Sequence, residues 1–210
     1  MYDLGMTLLD KSGSPYFPED QFDEVSSMKY NDFVTDECKK AEEGQEHTVR
    51  IHALYRPFTK ANSNVIVIPD DVPAYRYLLR IKSKYKLTCG SRITYPEPPI
   101  RKAPSNNVDV MQQDPFNKGI DADPLYKLDF AGGKKTYQIL SDTVPLEING
   151  MYVKTPQKID SANNPNTVFE LEDYIAEAIV RATVFRTDVI IENFQRAAAE
   201  SQEQAELKAQ

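Results

Sequence analysis

Aspartate residues are the groups in this chain whose type and spacing could support catalysis. Asp70 and Asp71 follow directly after a β-branched run. Further aspartates lie close together later in the sequence: Asp109, Asp114, Asp121 and Asp123. Pairs of carboxylates can perform acid–base chemistry or hold a metal ion. These carboxylates fall in expected loops without a neighbouring nucleophile, histidine or phosphate-binding turn, so solvated loop acids explain them more simply than a hydrolase does.

A second candidate for chemistry is the glycine pair Gly132 and Gly133, which is followed at once by Lys134, Lys135 and Thr136. A phosphate-binding loop requires G-x-x-x-x-G-K-[ST] between a strand and a helix. The first glycine of that motif is missing at the required distance, and the threonine stands one place late. Because apolar and aromatic residues alternate on both sides of the pair, the pattern predicts two strands joined by a glycine turn.

The cysteines and histidines show no metal-binding pattern. Cys38 and Cys89 have no CxxC or metal-ligand spacing, so two free thiols are expected. His47 and His52 do not share a helical face, and no acidic residue stands at a zincin spacing from them. We therefore expect no catalytic residue, no metal site and no cofactor, and we expect that the protein is not an enzyme.

Charge is distributed very unevenly along the sequence. The net charge is −7 overall, whereas residues 60–102 alone carry +6 and residues 1–59 carry −6. The basic residues of this block alternate with tyrosines, and they are Arg76, Arg80, Lys82, Lys84, Lys86 and Arg92. Such a block can bind nucleic acid, or it can be the lysine-rich outer side of sheet edges. We favour a third interpretation, a subunit interface that complements an acidic surface on a partner.

The surrounding pattern predicts an α+β protein in which N- and C-terminal helices pack together around a central, antiparallel, β-rich insertion. We expect an N-terminal helical part at residues 1–59, the insertion at 60–160 and a long C-terminal helix at 167–210, all in a single structural unit. Residues 96–117 are rich in proline and predict a long loop or extended arm. No apolar run is long enough for a membrane span, and the N-terminus does not read as a secretory signal.

The C-terminal helix carries the strongest structural signal. Apolar residues recur by threes and fours in a narrow seam, which consists of Leu171, Ile175, Ala178, Ala182, Phe185 and Val189. A seam of this kind packs against another helix, and we expect that partner to be the N-terminal helix of the same subunit. Phe194 extends the apolar face by a further turn, and from there the helix can project into a neighbouring protein.

The order of several short motifs resembles a known family. These are "VIPDD", "YPEPPIRKAPSNN", "DPFNKG", "DPLYKLD", "YVKTPQKID" and "FELEDYIAEAIVRAT". Their order and spacing, from about Ser14 to Ser201, resemble the ring proteins, or head-to-tail connectors, of crAss-like bacteriophages and other phages of gut Bacteroidales. The chain departs from the family pattern at "DDVPAY" and at Asp114, where asparagine is common.

The resemblance implies a structural virion protein of the neck or tail, assembled in the bacterial cytoplasm. Such a protein forms a homo-oligomeric ring, with the portal's twelve-fold symmetry, beneath the portal or another ring protein. The ring surrounds a channel through which genome DNA passes without sequence-specific binding. The alternative is a head-completion or tail-adaptor protein of a phage particle that stays monomeric until it meets the virion.

Overall fold

The computed structural model describes residues 2–12, 18–43, 45–104, 108–114, 117–160 and 169–209. The chain belongs to the α+β class, with 38% helical and 34% strand residues. It divides into two compact units, Met1–Ala53 with Pro156–Gln210 and Leu54–Thr155. We had expected a single structural unit in which the insertion begins at residue 60. The β-rich unit begins earlier because the strand from Tyr55 pairs along its whole length with a later strand.

The first unit is helical, and three of its helices pack on one another. Their bounds are α1 Tyr2–Ser12, α2 Glu19–Glu43 and α4 Asp173–Ala209, and a 3₁₀ segment, Gln45–Leu54, follows α2. Both α1 and α2 contact α4, as the sequence predicted for the N- and C-terminal helices. The N-terminal helical part expected at residues 1–59 thus contains two separate α-helices, and its pattern does not single out α1.

The core of the helical unit centres on Phe22, which is fully buried against Val180 and Val184. Gly5 of α1 lies so close to the Phe22 ring that a side chain there would overlap it. Two threonines complete the buried face of α4. The Thr183 hydroxyl donates to the carbonyl of Ile179 at 2.9 Å, and the Thr187 hydroxyl donates to that of Thr183 at 3.0 Å. Each buried hydroxyl is thereby satisfied within the helix.

The expected seam of α4 is only partly buried, which corrects the sequence-based assignment. Leu171 and Ile175 are buried and Val189 is half-buried. Ala178 and Ala182 are exposed, and Phe185 is 73% exposed. The buried stripe instead runs through Ile175, Ile179, Val180, Thr183, Val184 and Thr187. Apolar residues alone do not reveal this buried stripe, because two of its members are threonines. The Phe194 side chain lies outside the described side chains.

The second unit contains two sheets and a separate two-stranded ribbon. The first sheet has the order β1-β9-β3, and its strands are β1 Tyr55–Ala61, β9 Glu147–Lys154 and β3 Tyr75–Lys84. The second has the order β2-β8-β7-β6, with β2 Val65–Ile68, β8 Lys134–Leu140, β7 Leu125–Ala131 and β6 Arg101–Lys102. The ribbon pairs β4 Leu87–Cys89 with β5 Arg92–Thr94. Nearly all pairings are antiparallel, and only β6 and β7 run parallel.

Side chains from both sheets form one core. Phe58, Ile81 and Ile148 from the first sheet cluster with Ile66 and Ile139 from the second. Phe58, Ile81, Ile148 and Ile66 alternate with more exposed neighbours along their strands, as expected for strands that bury one face, whereas Ile139 is followed by the buried Leu140. The core of this unit therefore lies between the inner faces of its two sheets.

The predicted glycine hairpin is confirmed. Strands β7 and β8 pair in register from Leu125↔Leu140 to Ala131↔Lys134. Gly132 and Gly133 form the two-residue turn with positive φ angles of 59° and 78°. Such a turn suits glycine because residues with a Cβ rarely adopt this conformation. The stretch is therefore a turn and does not have the geometry of a phosphate-binding loop.

The described part of the proline-rich segment pairs with the sheets and contains a short helix, which corrects the expectation of a loop over residues 96–117. Its first part, residues 96–103, is called the strap below. It hydrogen-bonds on one side to β3, where Ser83 N donates to Pro98 O at 3.2 Å. On the other side Ala103 N donates to Tyr126 O of β7 at 2.8 Å. A short helix, α3 Val108–Gln113, follows the strap. The strap is ordered because it supplies backbone partners to both sheets.

Candidate interaction surface

Strand β3 presents a row of basic side chains on the outer face of its sheet. Arg80 and Lys82 are exposed and Lys84 is half-buried, whereas the intervening Ile81 and Ser83 are buried. The alternation follows from the pleat, which sends successive side chains to opposite faces. We call Arg80, Lys82 and Lys84 the basic row. Arg76 is also exposed, but irregularities in the pairing of β3 with β9 separate it from the row.

Only one end of the basic row is neutralised within the chain. Lys84 lies 3.6 Å from the carboxylate of Glu97 on the strap, and its direct partner on β9 is Glu147. The partners of Lys82 and Arg80 on β9 are the uncharged Asn149 and Met151. Among the described residues, Arg80 and Lys82 form no ion pair. The row therefore presents positive charge that a partner can neutralise.

The basic row belongs to a sheet face and not to a sheet edge. β3 pairs with β9 on one side, and on the other side Lys82 forms a bridge with Pro99 of the strap. Tyr85 N also donates to Pro96 O at 3.1 Å on that side. The interpretation of these lysines as protection of an open edge is therefore wrong for β3. A protein that contacts the row must approach it from above the face of the sheet.

The remaining basic residues lie at the ribbon of β4 and β5, where Lys86 directly precedes β4 and Arg92 begins β5. Every residue of both strands is exposed, and the ribbon pairs with no other strand in the described part of the chain. It turns at Gly90, whose φ is +63°. A two-stranded ribbon is only marginally stable by itself in water. Its exposure therefore indicates a segment that a binding partner would stabilise.

Apolar side chains accompany the charges on the ribbon. Leu87, Ile93 and Tyr95 are 37%, 49% and 53% exposed. Since directly opposite residues share a face, Thr88 and Ile93 lie on one face and Leu87 and Thr94 on the other. The ribbon thus combines exposed apolar and basic groups. This combination is typical of protein-binding surfaces, in which apolar residues provide burial and charges provide orientation.

The paired acids after β2 have structural partners. The Asp71 carboxylate accepts a hydrogen bond from Val67 N at 2.7 Å and pairs with Lys60 Nζ at 2.5 Å. Asp70 pairs with Lys134 Nζ at 2.7 Å. Asp71 closes the turn that follows β2, where Asp71 N also donates to Val67 O at 2.8 Å. These contacts explain the two carboxylates without a catalytic role.

The aspartates that follow later in the sequence also form hydrogen bonds or ion pairs within the chain. Asp121 accepts hydrogen bonds from the amide and hydroxyl of Thr143 at 2.9 and 2.7 Å. Asp123 pairs with Arg101, whose Nε lies 2.9 Å away, and this contact raises the pKa of Arg101. Asp114 accepts a hydrogen bond from the Asn117 amide at 2.6 Å, and the Asp109 side chain is not among those described. Within the described residues no acidic, cysteine or histidine side chains group together as a metal site.

Neither cysteine has a cysteine partner, as the sequence predicted. Cys38 is buried in the helical unit, and Cys89 is exposed on the ribbon. His52 is exposed on the 3₁₀ segment, and the side chain of His47 lies outside the described side chains. The structure therefore brings none of the histidines and cysteines that can be located into one site.

A tyrosine cluster in the second unit was not identified from the sequence. The hydroxyls of Tyr75 and Tyr137 hydrogen-bond to each other, and the Tyr126 ring packs edge-on against Tyr137. Lys135 Nζ lies 4.9 Å from the centre of the Tyr75 ring and 5.5 Å from that of Tyr137. Burial, and then the charge of Lys102, lower the pKa of Lys135. The cluster binds its own cation, so we interpret it as a structural cation–π contact.

A cleft of about 340 Å³ lies beside β8. Its charged lining residues, Lys118 and Asp142, pair with each other at 2.8 Å. Amide side chains, including Asn64 and Gln138, supply most of its other polar groups. Because its two charges neutralise each other, the cleft offers neither a free nucleophile nor a free general base. It is a weaker candidate for function than the basic surface.

Comparison of the sequence with protein families and with curated proteins identifies no relative. No protein-family model matches the chain, and no curated protein matches its sequence. In the described part of the chain, the helices are too short or too polar to cross a bilayer. Any functional conclusion must therefore rest on the surface itself and on the resemblance in motif order.

Proposed function

We propose that this protein is a structural component of a bacteriophage particle, which forms a ring beneath the portal in the neck or tail. In this role it links head to tail and builds the channel for genome passage. It acts in the virion without an enzymatic activity and without a cofactor. Its partners are further copies of the same chain, arranged with the portal's twelve-fold symmetry, and the portal or other ring and tail proteins.

The observation that carries the proposal is the basic surface formed by the basic row, Lys86 and Arg92. It stands on an exposed sheet face and an unsupported ribbon in a chain whose net charge is −7. Charge of one sign on one surface and the opposite sign elsewhere allows copies to bind head to tail, which is the contact type that generates rings. The resemblance in motif order supports a ring at the portal in particular.

The net negative charge also suits a channel for DNA. Proteins that hold DNA neutralise its phosphates with lysine and arginine. An acidic subunit whose basic groups are covered by protein contacts would leave few such groups for the passing genome. DNA would then move through the ring without being retained.

Electron microscopy tests the proposal directly. We expect closed rings when the purified protein is imaged alone or mixed with the portal or tail complex from the same source. An added ring of density on the portal would also establish the symmetry. Isolated subunits bound to a tail or head-completion component, without a ring, would support the adaptor alternative. Failure to bind any virion component would contradict both.

A further inference from the structure

The helix α2 carries an exposed ridge of acidic side chains. They recur at every fourth residue with one methionine in the middle, in the order Asp20, Glu24, Met28, Asp32 and Asp36. We call these five residues the acidic ridge. Residues four apart are neighbours on a helix surface, and each step of four rotates by about 40° around the axis, so the ridge is continuous but winds around α2. Met28 is 60% exposed, whereas methionine is among the residues that folded proteins most often bury.

The charges of the ridge are poorly neutralised within the subunit. Asp32 lies 3.9 Å from Lys29, and Asp36 lies 3.6 Å from Lys39. The two carboxylates are nevertheless 71% and 63% exposed, and exposed pairs of this kind contribute little. Asp20 and Glu24 form no ion pair with any described residue. The ridge therefore remains a surface of negative charge.

The spacing of the ridge matches that of the basic row. Four residues of α-helix advance about 6 Å, so successive members of the ridge are about that far apart along its axis. Two residues of strand advance about 6.6 to 6.8 Å, which separates Arg80 from Lys82 and Lys82 from Lys84. Two neighbouring carboxylates of the ridge, such as Asp32 and Asp36, therefore match two neighbouring charges of the row to within about 1 Å, which long lysine and arginine side chains can absorb.

We infer that the acidic ridge of one copy binds the basic row of a neighbouring copy. This inference rests on the proposed ring and names the two surfaces that join its subunits. In this contact, α2 of one copy lies across the outer face of the β1-β9-β3 sheet of the neighbouring copy, where carboxylates of the ridge neutralise Arg80 and Lys82. Met28 packs against the side-chain stems of the row and against Met151, which lies opposite Arg80.

The contact joins two different surfaces of the same chain, so it is heterologous. Each terminal copy leaves either its ridge or its row unoccupied, so addition continues until the arrangement closes. Association should weaken as salt rises because the contributing charges are exposed. Complementary charge also aligns the two surfaces before apolar groups are buried.

Charge reversal tests the inference with two variants. One carries Arg80→Glu with Lys84→Glu, and the other carries Glu24→Lys with Asp32→Lys. Each variant alone removes the charge complementarity between its own row and ridge, so we expect its self-association in low salt to be about tenfold weaker or more. An equimolar mixture has complementary surfaces at every contact, so we expect association to return. Sedimentation velocity at several salt concentrations measures both, with circular dichroism to show that each variant is folded.

A matched control separates the contact from net charge. Arg186 and Lys158 are exposed and lie outside both surfaces, so Arg186→Glu with Lys158→Glu changes the charge equally and should leave association unchanged. A carbodiimide cross-link between Lys82 and Asp32, found by mass spectrometry between isotopically distinct copies, would identify the contact. Loss of assembly in the control equal to that of the row variant would overturn the inference.

The results also separate this inference from the proposed function. If rings form on the portal and the Glu24→Lys, Asp32→Lys variant forms them as well as the wild type, the ridge is not the contact and the ring proposal stands. If the equimolar mixture fails to recover association, the pairing of row with ridge is wrong. If the wild-type protein neither self-associates nor adds a ring to the portal complex, both proposals fail.

Discussion

Phe58 of β1 lies directly over the backbone of Gly150, its partner on β9. The two residues face each other in the antiparallel register, and a Cβ added to Gly150 would overlap the Phe58 ring. Phe58 is 8% exposed and belongs to the core between the sheets. The glycine in "EINGMY" therefore allows the Phe58 ring of β1 to lie close to the backbone of β9, which continues as one strand through this position.

We expect Gly150→Ala to lower the free energy of unfolding by about 1 to 3 kcal/mol because it overpacks this contact. Urea unfolding at neutral pH measures the change. Combining Gly150→Ala with Phe58→Leu should recover part of the loss, since the smaller side chain leaves room for the methyl group. Equal losses with and without the Phe58 substitution would show that the ring does not cause the constraint.

The two neighbouring acids after β2 should respond very differently to truncation. We expect Asp71→Ala to cost about 1 to 3 kcal/mol, because Val67 N then loses its side-chain acceptor and Lys60 loses its partner. Asp70→Ala should cost less than about 1 kcal/mol, because its pair with Lys134 is exposed and such pairs contribute little. Thermal or urea unfolding of the two variants measures the contrast, and equal costs would contradict the assigned role of Asp71.

Opposite faces of α4 should differ sharply in their tolerance of charge. Phe185 is 73% exposed, whereas Ile179 is 3% exposed. We expect Phe185→Asp to change the free energy of unfolding by only about 0.5 kcal/mol. Ile179→Asp should cost about 3 kcal/mol or more, because it buries an unpaired carboxylate. A melting temperature that falls strongly for Phe185→Asp would mean that this face is covered within the subunit.

Stability should fall at alkaline pH. Burial raises the pKa of four phenols above the ordinary value of 10.0, and these belong to Tyr30, Tyr75, Tyr85 and Tyr137. In the unfolded chain these groups lose their protons near that ordinary value, so above about pH 10 the folded state binds more protons than the unfolded state. Their contribution to stability is therefore complete below about pH 10 and is lost as the pH rises further.

Urea unfolding between about pH 8 and 11 measures this dependence, and tyrosinate absorbance reports which phenols have ionised. We expect a group of tyrosines to ionise only when the protein unfolds. Tyr137→Phe should reduce the fall in stability above about pH 10, since one buried phenol no longer titrates. Full ionisation of all tyrosines in the folded protein at that pH would contradict the prediction.

Local patterns in the sequence were sufficient for several elements. The hairpin at Gly132 and Gly133 was predictable because its turn residues and the alternation around them are short-range features. The α+β class and the packing of terminal helices followed from helical periodicity at both ends. The alternation of Arg80, Lys82 and Lys84 along β3 was predictable, since alternation along a strand is a property of neighbouring residues, whereas their role in a subunit interface stays a prediction.

The burial of α4 could not be predicted from apolar residues alone. Ala178, Ala182 and Phe185 share a face with the buried Ile175, yet they are exposed, because burial depends on which face meets α1 and α2. Thr183 and Thr187 belong to the buried face since their hydroxyls bond within the helix. Whether a polar side chain finds a hydrogen-bond partner becomes evident only once the helix and its neighbours are in place.

The sequence by itself determined the α+β class, the glycine turn and the separation of basic from acidic segments, because these depend on residues close together in the chain. Only the tertiary structure decided what the charges can contact. It placed the strap along β3, so that the basic row lies on a sheet face, and it left the ridge of α2 exposed. Both outcomes depend on pairings between distant residues, whose register local pattern does not encode.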